Sequence, residues 1–104
     1  MYTEDVPVLR RAAMDFLARR EHSFFELKHK LESKFPEADS SILENVINIL
    51  CSENLQSDTR FTESYVYSKK KRGFGYLTIR ANLNAKHIKH SIIDSYLLMM
   101  IGMK

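Results

Sequence analysis

Displaced by 52 residues, the sequence falls on itself: Leu9 meets Phe61, Ala13 meets Tyr65, Arg20 meets Arg72, Ser23 meets Gly75, Leu27 meets Ile79 and Leu31 meets Leu83. Near the end of each copy the displacement becomes 50, setting Ser41 on Ser91, Glu44 on Asp94, Val46 on Tyr96 and Leu50 on Met100. Apolar residues meet apolar residues, and residues that can cap helices meet one another. A chain patterned this way folds as two copies of one small unit, residues 1–56 and 57–104, within a continuous domain. At 104 residues it builds a helical core but has no room for a further catalytic domain.

Each copy reads as three helices, because apolar residues recur at helical spacing and the turn signals fall between the runs. The first helix follows Asp5 as N-cap, with Pro7 in its first turn and Leu9, Ala13, Phe16 and Leu17 on one face. Ser23 to Glu26 has capping-box spacing and starts a second helix that buries Leu27 and Leu31, carries Phe24 and Phe35 at its ends and closes at Pro36. The third, boxed by Ser41 and Glu44, is expected to bury Ile42, Val46, Ile49 and Leu50 and to stop at Asn54. In the second copy, Ser57 or Asp58 caps a helix with Phe61, Tyr65 and Val66 inward and Gly73 at its end. A fifth helix begins near Gly75 and carries Leu77, Ile79 and Leu83; a sixth follows Ser91 and Asp94, with Ile92, Tyr96, Met100 and Ile101 on one side. The fold class is all-α.

Charge divides along the same boundary. Residues 1–57 hold seven Lys and Arg against ten Asp and Glu, whereas residues 58–104 hold nine against three, so the net +3 conceals an acidic half and a basic one. The basic half is suited to an anionic surface, whether nucleic acid, membrane or acidic protein. No apolar run approaches the ~18 residues of a membrane span, and the N-terminal residues lack a basic and an apolar targeting region. A cytoplasmic protein is expected. The lone Cys51, set in an apolar stretch, reads as a small core residue in a reducing compartment.

The segment Ala13–Leu31, with Asp15, Phe16, Leu17, Ala18, Arg19, Arg20, Glu21, His22, Ser23, Glu26 and Leu27, resembles the first-repeat signature of the RecX family, bacterial regulators of the RecA recombinase. Asp58, Arg60, Phe61, Glu63, Tyr65 and Val66, followed by Arg72, Gly73, Phe74, Gly75, Ile79 and Leu83, resemble its second-repeat pattern, and the likeness spans residues 9–97. Tyr76 stands where the family usually has Pro, Asn82 where it often has Glu, and the family normally continues into a third three-helix repeat beyond the position of Lys104. The resemblance implies tandem three-helix repeats in an elongated right-handed helical array. It also implies a non-enzymatic regulator in DNA repair, recombination and the SOS response. Such a protein binds RecA and lies in the groove of the RecA–DNA filament, bridging subunits and hindering strand exchange, ATP turnover and filament extension. It needs no cofactor; ATP and magnesium belong to RecA.

Arg19 and Arg20 end the first helix of one copy, Lys69, Lys70, Lys71 and Arg72 end its counterpart, and Arg80 lies on the next helix. Stacked repeats would align these residues as a basic stripe facing RecA or phosphates; the same cations also suit helix C-termini, at ~0.3–1 kcal/mol each, with no partner at all. Phe74 and Tyr76 either stack on an exposed base beside the lysine run or pack within the protein. These alternatives allow a second function, a basic module that binds single-stranded or duplex DNA weakly and affects RecA by competition. Gly73 and Gly75 lack the remaining residues of a phosphate loop and read as a helix stop and a helix start. His22, His29, His87 and His90 form no metal set, His22 having a helix-turn role, and no catalytic triad or carboxylate pair is evident. Met99, Met100 and Met103 would leave an apolar face on an otherwise monomeric chain, capable of self-association.

Overall fold

The computed structural model describes residues 6–102, with side chains through Leu98. Asp5, Met99, Met100, Ile101 and Met103, to which the sequence assigns capping or apolar roles, lie outside the described side chains. Six helices follow one another: α1 (Val6–Arg19), α2 (Phe24–Lys34), α3 (Ser40–Ser52), α4 (Asp58–Lys71), α5 (Tyr76–Ala85) and α6 (His90–Gly102). No strand occurs among the described residues. The chain divides into two compact units, Met1–Ser57 and Asp58–Lys104.

In the first unit, α1, α2 and α3 each pack on the other two. Their buried stripes meet in a core of Leu9, Ala12, Ala13, Leu27, Leu31, Leu43, Val46, Ile47 and Leu50. Ala12 and Ala13 give α1 a flat face, so its backbone can sit close to its neighbours, and each fully buried leucine contributes about 1.5–3 kcal/mol. The capping box forms as the sequence predicts: the Glu26 amide donates to Ser23 Oγ at 3.0 Å, and the Ser23 amide donates to Glu26 Oε1 at 3.3 Å. His22 lies at the turn before it, 1% exposed. Its Nδ1 is 3.0 Å from the Arg20 carbonyl, and its own carbonyl accepts from Gln56 Nε2 at 3.2 Å.

In the second unit α4, α5 and α6 pack in the same pairwise way around Phe61, Val66, Ile79, Leu83, Ile88, Ile93 and Leu97. Three helices end alike, on a residue in the left-handed region: Asn54 (φ 63°), Gly73 (φ 87°) and His87 (φ 59°). After each, an amide turns back to the last turn of the helix, Leu55 to the Leu50 carbonyl at 2.9 Å, Phe74 to Lys69 at 3.0 Å and Ile88 to Leu83 at 3.2 Å.

The inward faces differ from expectation on three helices. On α3 the buried residues are Leu43, Val46, Ile47 and Leu50, while Ile42 is half-buried and Ile49 is 48% exposed. The run from Ile42 to Cys51 is apolar on more than one side, and two overlapping stripes fit it; packing against α1 and α2 selects Leu43, Val46, Ile47 and Leu50. Asp39, not Ser41, is the N-cap, its Oδ1 accepting from the Ser41 amide at 2.7 Å and the Ser41 hydroxyl at 2.6 Å. Glu44 is turned away to Lys28 Nζ, 2.6 Å distant. Cys51 is exposed rather than part of the core. On α5, Leu77 is 74% exposed and only Ile79 and Leu83 are buried. On α6, Ile93 and Leu97 are buried against α4 and α5, and Ile92 and Tyr96 are half-buried; the helix already starts at His90, and Asp94 pairs with Arg80 instead of boxing Ser91.

Candidate functional site

The C-terminal end of α4 carries Lys69, Lys70 and Lys71 in its last turn, where cations complement the unsatisfied carbonyls of the helix end. Gly73 then reverses the chain and brings the Phe74 ring back over that turn. Lys69 Nζ lies 4.8 Å from the centroid of Phe74 and 5.3 Å from that of Tyr65, and the Arg72 guanidinium carbon lies 5.5 Å from Phe74. From the end of α5, Lys86 Nζ approaches Tyr65 to 5.8 Å. Lys71 sits 5.3 Å from Tyr67, and Lys70 and Arg72 are exposed. The outcome is a cationic cluster held over aromatic rings, each such contact worth ~0.5–1 kcal/mol at a surface.

Phe74 and Tyr76 are half-buried and pack against the core of their own unit. Arg80 stands over Tyr76, its guanidinium carbon 5.3 Å from the ring, and donates to the Tyr76 hydroxyl at 3.0 Å and to Asp94 Oδ1 at 2.6 Å. The bond to Asp94, then that to Tyr76, raises the Arg80 pKa above its ordinary value. Its charge is thus compensated within the protein, whereas among the described residues no carboxylate pairs with Lys69, Lys70, Lys71 or Arg72. Arg19 and Arg20 belong to the other unit. Arg19 lies 6.0 Å from the Phe16 ring, and Arg20 donates to the Glu21 carbonyl at 2.7 Å and to Glu26 Oε1 at 3.1 Å, bracing the capping box.

The structure therefore gathers Lys69, Lys70, Lys71, Arg72 and Phe74 at one helix end and sets Arg80 with Tyr76 in a separate ion-paired group. Sequence reasoning missed Tyr65, Tyr67 and Lys86. The first two had a signal: Tyr65 and Lys69, Tyr67 and Lys71, and Tyr76 and Arg80 are all four residues apart, the spacing that brings side chains together on a helix. Lys86 arrives from another helix and had none. Among the described residues no group of three His, Cys, Asp or Glu could hold a metal ion, and no helix is long and apolar enough to cross a membrane.

Residues 57–97 match the family described as RecX, second three-helix domain, a span that holds the whole cluster. The chain is similar to the RecX family. Curated relatives named regulatory protein RecX agree with that. One from Pseudomonas savastanoi pv. phaseolicola is 37% identical over 94 residues, covering 89% of this chain and 59% of the relative. Another, from Pseudomonas syringae pv. tomato, is 37% identical over 91 residues, covering 86% of this chain and 57% of the relative. A third, from Ectopseudomonas mendocina, is 37% identical over 89 residues, covering 86% and 58%. The chain thus spans less than two thirds of the length of the RecX relatives it matches.

Proposed function

We propose that this chain is a non-enzymatic regulator of the RecA recombinase, binding RecA and its nucleoprotein filament and lowering recombinase activity. The likeness to RecX proteins supports the partner, and the α4 cluster supports the contact. The observation that carries the reading is the exposed cationic rim of Lys70, Lys71 and Arg72 beside the ring-bound Lys69. Four like charges on one helix end favour an acidic surface and steer its approach. Phe74 is packed on its own core and approached by Lys69 and Arg72, which leaves its ring little face for a base; the 65% exposed Tyr67 beside Lys71 is the aromatic a stacked single strand would use in the competing reading.

The second reading, competition for DNA, draws on the same exposed cations acting on phosphates. One experiment separates the two. The chain is added to preformed RecA filaments, and ATP hydrolysis and DNA occupancy are followed together, with a parallel titration of labelled oligonucleotide without RecA. Regulation through RecA predicts slower hydrolysis with DNA still bound; competition predicts oligonucleotide binding that falls steeply with salt and DNA loss before hydrolysis slows. Unchanged hydrolysis at saturating protein would overturn both. Replacing Lys69, Lys70, Lys71 and Arg72 by Ala should abolish most of the effect while helicity is retained.

A further inference from the structure

The acidic first unit holds a local exception to its own charge. Most of its paired cations sit on carboxylates: Arg10 on Glu53 at 2.7 Å, Arg20 on Glu26 at 3.1 Å and Lys28 on Glu44 at 2.6 Å. Arg19, Lys30 and Lys34 make no such pair among the described residues. Instead Lys30 and Arg19 approach Phe16, with Lys30 Nζ 5.2 Å and the Arg19 guanidinium 6.0 Å from its ring centroid. Beside this ring an open groove of about 420 Å³ is lined by Phe16, His29, Lys30, Ser33 and Lys34. No carboxylate is among these lining residues, and that of Glu32 lies 3.9 Å from His29 Nδ1.

We infer that this groove is a docking site for an extended acidic segment of a protein partner. Lys30 and Lys34 are one helical turn apart, so their Cβ atoms lie about 5–6 Å from one another along α2 and their side chains can present ammonium groups at a similar spacing. Alternate side chains of an extended peptide recur at about 6.6 Å, so carboxylates two residues apart match the two lysines. The Ser33 hydroxyl adds a donor between them, and the half-buried Phe16 ring gives the aliphatic stems an apolar floor. A nucleic-acid strand fits less well. One side of Phe16 packs on the core, and Lys30, Arg19 and the His22 ring, 6.0 Å away, surround the remainder, so a base has no face to stack on. Compact ammonium groups meet single carboxylates well and have no need of the forked geometry that phosphate recognition by Arg exploits. This site is distinct from the α4 cluster and does not depend on RecA being the partner.

The test uses the full chain, a fluorescent Glu-Leu-Glu-Leu-Glu peptide and a labelled ten-residue oligothymidine, followed by anisotropy at low salt. Saturable peptide binding is expected, weakened about fivefold or more in the Lys30→Ala, Lys34→Ala double variant, as two surface charge pairs allow. An Arg11→Ala control, an exposed cation outside both the groove and the α4 cluster, should stay within about twofold of the parent, a change at the scale of a weak exposed charge. Circular dichroism checks that both variants keep their helicity. The inference is overturned if the peptide does not bind, if the control loses as much as the double variant, or if the double variant loses oligothymidine rather than peptide.

Discussion

The side-chain amide of Gln56 donates to the His22 carbonyl at 3.2 Å, joining residues 34 positions apart. Both residues are buried, so the segment after α3 supplies what the turn between α1 and α2 cannot find in water. Gln56→Ala leaves that carbonyl without its donor, at a cost of about 1–3 kcal/mol. Thermal unfolding should report this as a midpoint several degrees lower with the far-ultraviolet spectrum of the native protein unchanged, and an unaltered midpoint would contradict the role.

His22 makes the first unit sensitive to acid. Burial holds its pKa below the usual value near 6.5, with Arg20 and Lys30 pushing the same way and the Arg20 carbonyl and Glu26 opposing. Nε2 is buried with no hydrogen-bond partner, so a proton placed there meets no acceptor. The unfolded chain takes up that proton first, and stability therefore rises with pH through this window. The contribution is complete above about 6.5 and is lost as pH falls through the lower folded value. Urea midpoints measured from pH 7.5 to pH 5 should fall, and His22→Gln should flatten the profile.

Gly73 adopts φ 87°, and a Cβ there would meet nothing within 4 Å. The cost of Gly73→Ala is therefore conformational alone, about 1–2 kcal/mol, and Gly73→Asn should recover part of it. Equal stability of the Ala and Gly proteins in denaturant unfolding would show that the turn is not held in the left-handed region.

Burial on α3 separates neighbours. Ile47→Ala should cost about 2–5 kcal/mol, whereas Ile49→Ala should stay within about 0.5 kcal/mol of the parent. The exposed Cys51 should react with an aromatic disulfide reagent in the folded protein at a rate close to that of a free thiol, without prior unfolding.

Helix number, the capping box at Ser23 and the stops at Asn54 and Gly73 were legible because each rests on contacts within a few residues. The buried face of α3 was not. Its apolar residues satisfy two stripes, and the choice is made by packing against α1 and α2, residues distant in sequence. His87 gave no sign of its left-handed backbone, since a histidine pays a steric penalty there that only its surroundings offset. In the candidate site the basic run was visible, but its grip on Tyr65 and Phe74 depends on a chain reversal and on Lys86 from another helix. Conversely, Arg80 looked available in the sequence and is ion-paired in the fold.

The return of Phe74 over the end of α4 also gives the protein a natural place for an optical reporter. The sequence contains no tryptophan, so Phe74→Trp would introduce a single indole, selectively excited and seated beside Lys69 and Arg72. Protonated amines near an indole alter its emission, and a partner that drew those cations away would register as a change in intensity and wavelength. The reversal that closes a helix thereby makes binding at that helix end observable in real time, without a label on either molecule.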